Sequence, residues 1–302
     1  MVSVRDSIAE ASLYLRRARL ESYKMLCMRL PYNIALGNTR FSNLGRKAGI
    51  LFLCGAAFSG VMACRKSSGE AVPPPPTAPS VNSAGEADRL YAQRSDLMKV
   101  RQGLIGLRQA LAGNPTDYEI VWRLAKFNYF LGMHTTDEAE KEKAFRDGIE
   151  AGKLAVKLND GKPEGHFWLG ANYGGNAEIS TLAGLTDIED IKHEMEAVLK
   201  LDEGFEGGSA YMALGQVYLK APRIFGGDVD RAISYLERGL KFGENNGLLH
   251  LRLAQAYAEA HRTEDARRQL QILFEKGPKP GYEPEYNDAV KEGRELEEKL
   301  KQ

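Results

Sequence analysis

Residues 250–278 read HLRLAQAYAEAHRTEDARRQLQILFEKGP, and their spacing decides the fold. His250, Leu253, Ala254 and Tyr257 fall on one stripe of a helix; Ala266, Leu270 and Leu273 form a second stripe, and Pro278 ends it. The first-helix spacing recurs as Tyr211, Leu214, Gly215 and Tyr218, with Ala232, Leu236 and Gly239 supplying the second helix. It recurs again as His166, Leu169, Gly170 and Tyr173. Weaker copies begin near Leu90, ending in Leu107, Ala110 and Pro115, and near Val121, with Leu124 and Ala125. From about residue 86 onward no long alternating strand interrupts this pattern. Self-similar helical pairs that each leave one apolar face open must stack to bury it. The sequence therefore predicts an all-α solenoid of about five helix pairs over residues 86–302.

These residues resemble the tetratricopeptide repeat, in which a large residue, Leu, a small residue and an aromatic precede Ala, a large apolar residue and a terminal Pro. The physical roles follow from size. Gly170, Gly215 and Ala254 let the second helix of each pair approach closely, while Leu169, Leu214 and Leu253 fill the groove between the helices. Tyr173, Tyr218 and Tyr257 are expected to cover the crossing and to pack on the next repeat. Prolines 115, 163 and 278 punctuate the helices. Residues 285–302, EYNDAVKEGRELEEKLKQ, carry a narrow stripe of Ala289, Val290, Leu296 and Leu300 on a charged helix, as a capping helix should.

Three stretches interrupt the repeats. The polar run HTTDEAEKEK spans 134–143, GGNAEISTLAGLTD follows Tyr173, and about five extra residues lie between Tyr218 and Ala232. The last includes Pro222, Arg223, Ile224, Phe225, Gly226, Gly227 and Asp228. Insertions in solenoids commonly emerge on one face, often the binding face. Gly-Gly-Asp ahead of a helix is good capping chemistry, and Arg223 and Asp228 are placed to close the loop as an ion pair.

Ahead of the solenoid the chain reads differently. Arg46 and Lys47 precede the uncharged run AGILFLCGAAFSGVMA at 48–63, too short for a transmembrane helix, which needs about 20 residues. A positive flank, a short apolar core and small residues at its end make a secretory signal. Val61-Met62-Ala63-Cys64 resembles a bacterial lipobox, which implies cleavage before Cys64 and lipid attachment to its thiol. Residues 65–85 hold five of the twelve prolines and no aromatic residue, an extended tether between lipid and folded body. The expected organisation is thus an over-long start or an extension at 1–27, a lipoprotein signal at 28–63, an anchored tether at 64–85 and the solenoid at 86–302. Processing at Cys64 would also remove Cys27 and Cys54, which suits an oxidising envelope compartment. Arg65 is not the Asp that commonly retains such proteins at the inner membrane, so the expected site is the periplasmic face of the outer membrane.

The formal charge of the chain is zero, 41 basic against 41 acidic residues, but it divides unevenly. Residues 1–63 carry nine basic and three acidic groups, +6; subtraction leaves 32 basic and 38 acidic from Cys64 onward, −6. An acidic body argues against binding a nucleic-acid backbone. Catalytic patterns are equally absent from the sequence. The five histidines form no H-E-x-x-H pair, and neither a phosphate-cradling glycine loop nor a G-x-S-x-G elbow occurs. No enzyme, metal or cofactor is expected.

What remains is binding. First-helix residues beside the packing positions should line the inner surface: Trp122, Lys126 and Tyr129, then Phe167 and Ala171, then Met212, Gln216 and Leu219, then Leu251, Gln255 and Ala258. This set is mostly apolar, so it points to an apolar ligand or an apolar partner segment, the alternative being that the insertions or the last helix fill the groove.

The lipobox, the Pro-rich tether and the interrupted repeats, with the segment Ala221-Pro222-Arg223-Ile224-Phe225-Gly226-Gly227-Asp228 ahead of a repeat helix, resemble the T-component of TRAP transporters over roughly residues 86–277. That resemblance implies a periplasm-facing lipoprotein working beside a periplasmic solute-binding protein, with an apolar pore and oligomerisation among its members. HFWLGANYGGN followed by IEDIKHEMEAVLKLDEGF is also similar to eukaryotic regulators of microtubule dynamics. Two functions stay open on the sequence: a solute-holding transport component, and a protein–protein scaffold of the envelope with no small-molecule ligand.

Overall fold

A computed structural model of the chain describes residues 83–180 and 187–301. The lipobox and Cys64, the tether and the residues before them lie outside the described part. Among the described residues there are eleven α-helices and no strand. They alternate as five antiparallel pairs: α1 (Ser83–Tyr91) with α2 (Leu97–Gly113), α3 (Tyr118–His134) with α4 (Glu138–Leu158), and α5 (Pro163–Ile179) with α6 (Ile188–Leu201). Then come α7 (Ser209–Lys220) with α8 (Val229–Leu240), α9 (Gly247–Glu259) with α10 (Thr263–Lys276), and a last helix α11 (Glu283–Lys299).

The helices begin where the sequence supplies a side-chain acceptor. Asp96, Asp117, Asp137, Asp228 and Asn246 each accept a hydrogen bond from a backbone N–H in the first turn of α2, α3, α4, α8 and α9. Pro163 opens α5 at its first turn, where its missing N–H costs no intrahelical bond. The small residues act as expected. A Cβ on Gly215 would lie 2.6 Å from Leu236 of its partner helix, and one on Gly170 would lie 2.7 Å from Met195.

Odd-numbered helices touch one another in succession, α1 to α3 and on to α11, whereas even-numbered helices mainly touch their odd neighbours. The odd helices therefore lie on the inside of the curve and the even ones on the outside. The curve is tight enough to bring its ends together. Arg94, in the turn after α1, makes a bidentate pair with Glu285 in the first turn of α11, at 2.9 and 2.7 Å, and also donates to the carbonyl of Gly281. Nearby, the ring of His134 at the end of α3 lies 3.2 Å from Asp288.

Three expectations need correction. The run at 134–143 is not a loop insertion: α3 continues to His134, Asp137 caps α4, and the added residues lengthen both helices. Likewise α5 continues through Ile179, absorbing the first part of the stretch after Tyr173. The repeat tyrosines contact their own partner helix and the preceding one, because each inner helix sits between the two; Tyr218 stacks on Tyr235 of α8 at 5.3 Å. The Tyr257 hydroxyl donates to Glu237 of α8 at 2.7 Å, Lys192 of α6 lies 5.4 Å from the Tyr218 ring, and Lys153 of α4 lies 5.6 Å from Tyr173.

Candidate binding groove

The inner helices present their side chains in two layers. Leu251 is fully buried, packed with Ala254, Leu270, Leu273 and Ala289 under α11. Phe167 is also buried, its ring 4.9 Å from Trp168 and 5.3 Å from Phe205. Both belong to the core rather than to an open surface. The helical stripe was legible in the sequence, but the depth at which each residue stops depends on the local curvature. Met212 and Leu219 are half-buried at the edge of the cluster built on Ile233, Leu236 and Tyr257.

The other residues expected on the open side of the inner helices, Trp122, Lys126, Tyr129, Ala171, Gln216, Gln255 and Ala258, are half-buried. Trp122 is fixed from both sides. Its indole N–H donates to Glu119 at 3.0 Å, and Arg123 lies 4.1 Å over its ring. Burial works against ionisation of Glu119, yet donors from Lys162, Trp122 and Arg123 hold its pKa at about 2. Tyr129 packs against Trp168 at 5.8 Å and Phe145 at 6.5 Å, and burial pushes its hydroxyl up to about 12. Gln255 is tied at its carbonyl to Arg252 at 3.1 Å, and Arg252 pairs with Glu292 of α11 at 2.6 Å. Gln216 differs: its amide nitrogen is buried and has no hydrogen-bond partner among the described residues. An unmet buried donor costs about 1–3 kcal/mol.

Repeat three contributes residues that the spacing alone did not single out. Asn172 is fully buried and donates to the carbonyls of Ala125 on α3 and Trp168, at 3.0 and 2.7 Å, stitching two inner helices together. His166 sits between the carboxylate of Glu194 at 2.6 Å and the carbonyl of Asp160 at 2.9 Å. The bond to Glu194 raises the imidazole pKa although burial opposes it. Two acceptors on two ring nitrogens favour the doubly protonated ring. Arg94 and Glu285, which close the ring of helices, carried no sequence signal, since they lie 191 residues apart.

The insertion loop is rigidly built. Phe225 and Gly227 donate backbone N–H groups to the Pro222 carbonyl, and Asp228 donates its own to Tyr218. Gly226 has φ of 87°, and a Cβ on Gly227 would lie 1.8 Å from the Ala221 carbonyl oxygen. Asp228 caps α8 through the Arg231 N–H; the expected Arg223–Asp228 pair is not formed, because capping takes the carboxylate. The loop leaves Ile224 and Phe225 exposed, at 44% and 37%.

Elsewhere a cavity of about 580 Å³ opens between α4 and the end of α5, lined by Glu142, Arg146, Glu150, Lys153 and Asn176, away from the groove residues above. Among the described residues no group of three metal-ligating side chains is assembled, and no helix is long and apolar enough to cross a membrane.

Residues 84–216 match the family described as regulator of microtubule dynamics protein 1-3, and residues 226–291 match a tetratricopeptide repeat family. No curated protein matches the chain. A thermophilic tetratricopeptide-repeat protein from Thermus thermophilus is similar in structure, with a TM-score of 0.52 and 21% identity over 68% of this chain and 98% of that one. PilF from Pseudomonas aeruginosa gives a TM-score of 0.46 at 16% identity, covering 72% and 93% of the two chains. MamA protein gives 0.43 at 17%, covering 64% and 91%. The fold is a tetratricopeptide-repeat α-solenoid.

Proposed function

We propose that this chain is a non-enzymatic binding scaffold of the bacterial cell envelope, anchored by lipid at Cys64, whose inner groove holds a segment of a partner protein. What supports the reading is the set of half-buried side chains on the inner helices. Half-buried Trp122, Tyr129, Gln216 and Gln255 combine apolar area with polar tips, and Gln216 offers a donor that lacks an acceptor. Aromatic bodies with polar tips suit a peptide, which brings side chains and backbone carbonyls together. The anchor rests on the lipobox and the Pro-rich stretch after it, a sequence pattern that calls for a protein held at the membrane by lipid.

A second reading draws on the aromatic lining and on the resemblance to TRAP T-components. In it the groove holds an apolar solute, beside a periplasmic solute-binding protein, in an assembly that includes further copies of this chain.

Photo-crosslinking separates the two. A benzophenone side chain at Gln216 of the full chain in bacterial membranes is expected to form a protein adduct, and one at exposed Gln271 of α10 is not. Adducts from Gln271 alone would overturn the groove reading. Co-purifying lipid in native mass spectrometry, with no adduct from Gln216, would favour the solute. Palmitate labelling that survives Cys64→Ser would sink the anchor.

A further inference from the structure

The outer helix of the first pair, α2, has a surface unlike those of the other outer helices. Between residues 98 and 113 its exposed positions carry one charge, Arg108, which pairs with Asp147 of α4 at 2.9 Å. Arg101, on the rim of that face, pairs with Glu140 at 2.7 Å. By contrast, the exposed positions of α4 are charged everywhere except Ala139, and those of α10 everywhere except Gln271. Met98 and Ile105, at 64% and 57%, are the most exposed large apolar side chains among the described residues. Gly106 and Gly113 lie on the same side, and a Cβ at either would meet nothing within 4 Å. An interior glycine weakens a helix, and packing within one copy does not call for Gly106.

This face complements itself. With about 3.6 residues per turn, a two-fold axis drawn between residues 105 and 106 leaves the helix through the middle of the uncharged stripe. Turning a second α2 about that axis makes an antiparallel pair. Ile105 of each copy then sits over Gly106 of the other, Met98 lies beside Gly113, and Gln102 faces Gln109. Large side chains meet small ones, amide meets amide, and the arginines on the rim keep their own carboxylates. We propose that α2 is a homodimerisation face, on which a second copy of this chain docks as an antiparallel helix. An isologous contact requires one patch to match itself, and that is the property this stripe has. A helix of 17 residues is about 25 Å long, so the pair covers roughly 300 Å² on each copy, against about 800 Å² for a stable complex. The dimer is accordingly weak and reversible in dilute solution, and it gains wherever copies are confined together. It depends on neither the groove nor the lipid anchor.

The test uses the full-length chain, first in bacterial membranes and then, extracted in detergent, in sedimentation velocity. A benzophenone side chain at Gln109 should give an adduct of twice the chain mass, mapping to residues 98–106 of the second copy. The same group at exposed Gln271 of α10 should give none. Sedimentation should show a reversible dimer that fills as concentration rises. Ile105→Glu sets two carboxylates across the axis and should raise the dissociation constant at least about tenfold, with helical circular dichroism intact. Gly106→Leu separates registered packing from mere adhesion. It adds apolar surface at an open position of the monomer, so adhesion alone would tighten the pairing. Filling the hole that receives Ile105 should instead weaken pairing by at least about tenfold, with the fold kept. Tighter pairing in Gly106→Leu, or full pairing in Ile105→Glu, overturns the proposal. So does a monomer at every concentration, or an adduct from Gln109 to lipid or to another protein, which would assign the face to that occupant.

Discussion

Repeats three and five carry the same heading, a histidine followed at fixed spacing by Leu, a small residue and Tyr, yet they use their buried positions differently. In repeat five the pattern is used for packing. His250 bonds to the neutral Gln269 at 2.8 Å, the position matching Asn172 is Ala256, and α11 seals the apolar face. In repeat three His166 meets the carboxylate of Glu194, Asn172 crosses to α3, and Trp168 takes the place that Arg252 holds in repeat five. The motif positions fix the crossing of the helices. The positions between them are free to differ, and in repeat three they carry a buried histidine–carboxylate pair and a bridging amide instead.

The largest effect is expected where the two repeats agree. Leu169 and Leu253 are 3% and 1% exposed, so Leu169→Ala and Leu253→Ala should each cost about 2–5 kcal/mol in chemical denaturation. A loss in only one repeat would show that the shared motif does not do the same job twice.

The histidines give the next largest effect. With its pKa raised in the folded state, protonated His166 contributes stability that is fully present below about pH 6.5 and lost as pH rises through the higher folded value. Glu194→Gln should lower stability by about 1–3 kcal/mol at acidic pH and progressively less as that range is crossed. Gln269→Glu should confer the same pH dependence on repeat five. Melting temperatures measured across that range check both, and a flat profile in wild type would contradict the assignment.

Glycines on α4 and α5 separate tight from open positions around repeat three. A Cβ at Gly152 would lie 2.8 Å from the Leu169 backbone, whereas one at Gly174 meets nothing within 4 Å. Gly152→Ala should destabilise by about 1–3 kcal/mol, and Gly174→Ala should stabilise by up to about 1 kcal/mol. The smallest change is expected at the insertion loop. Ile224→Ser, at an exposed position, should move stability by no more than about 0.5 kcal/mol, whatever it does to partners.

The fold was legible because its signal is local and repeated. Leu169, Gly170 and Tyr173 lie within one turn and a half of helix, and four other copies vouch for the reading. The polar run at 134–143 misled because residues that look like a loop also make good helix ends: Asp137 caps, and Glu138 and Glu140 suit a first turn. The groove was only partly legible. Helical spacing assigns a side chain to a face but not to a depth, so Phe167 and Leu251 stood beside Tyr129 and Gln216 as equals. Trp168 was hidden by its place directly before a packing leucine. The closure by Arg94 and Glu285 depends on the summed curvature of five pairs, which no local window contains.

The binding function proposed for this chain turns on the inner helices, and not the outer ones, meeting the partner. Hydrogen–deuterium exchange of the full-length protein, with and without the protein recovered by crosslinking from Gln216, tests that point. Slowed exchange is expected in α3, α5 and α7 when the partner is present. Protection confined to α2, α4 and α6, or to residues 221–228, would contradict it.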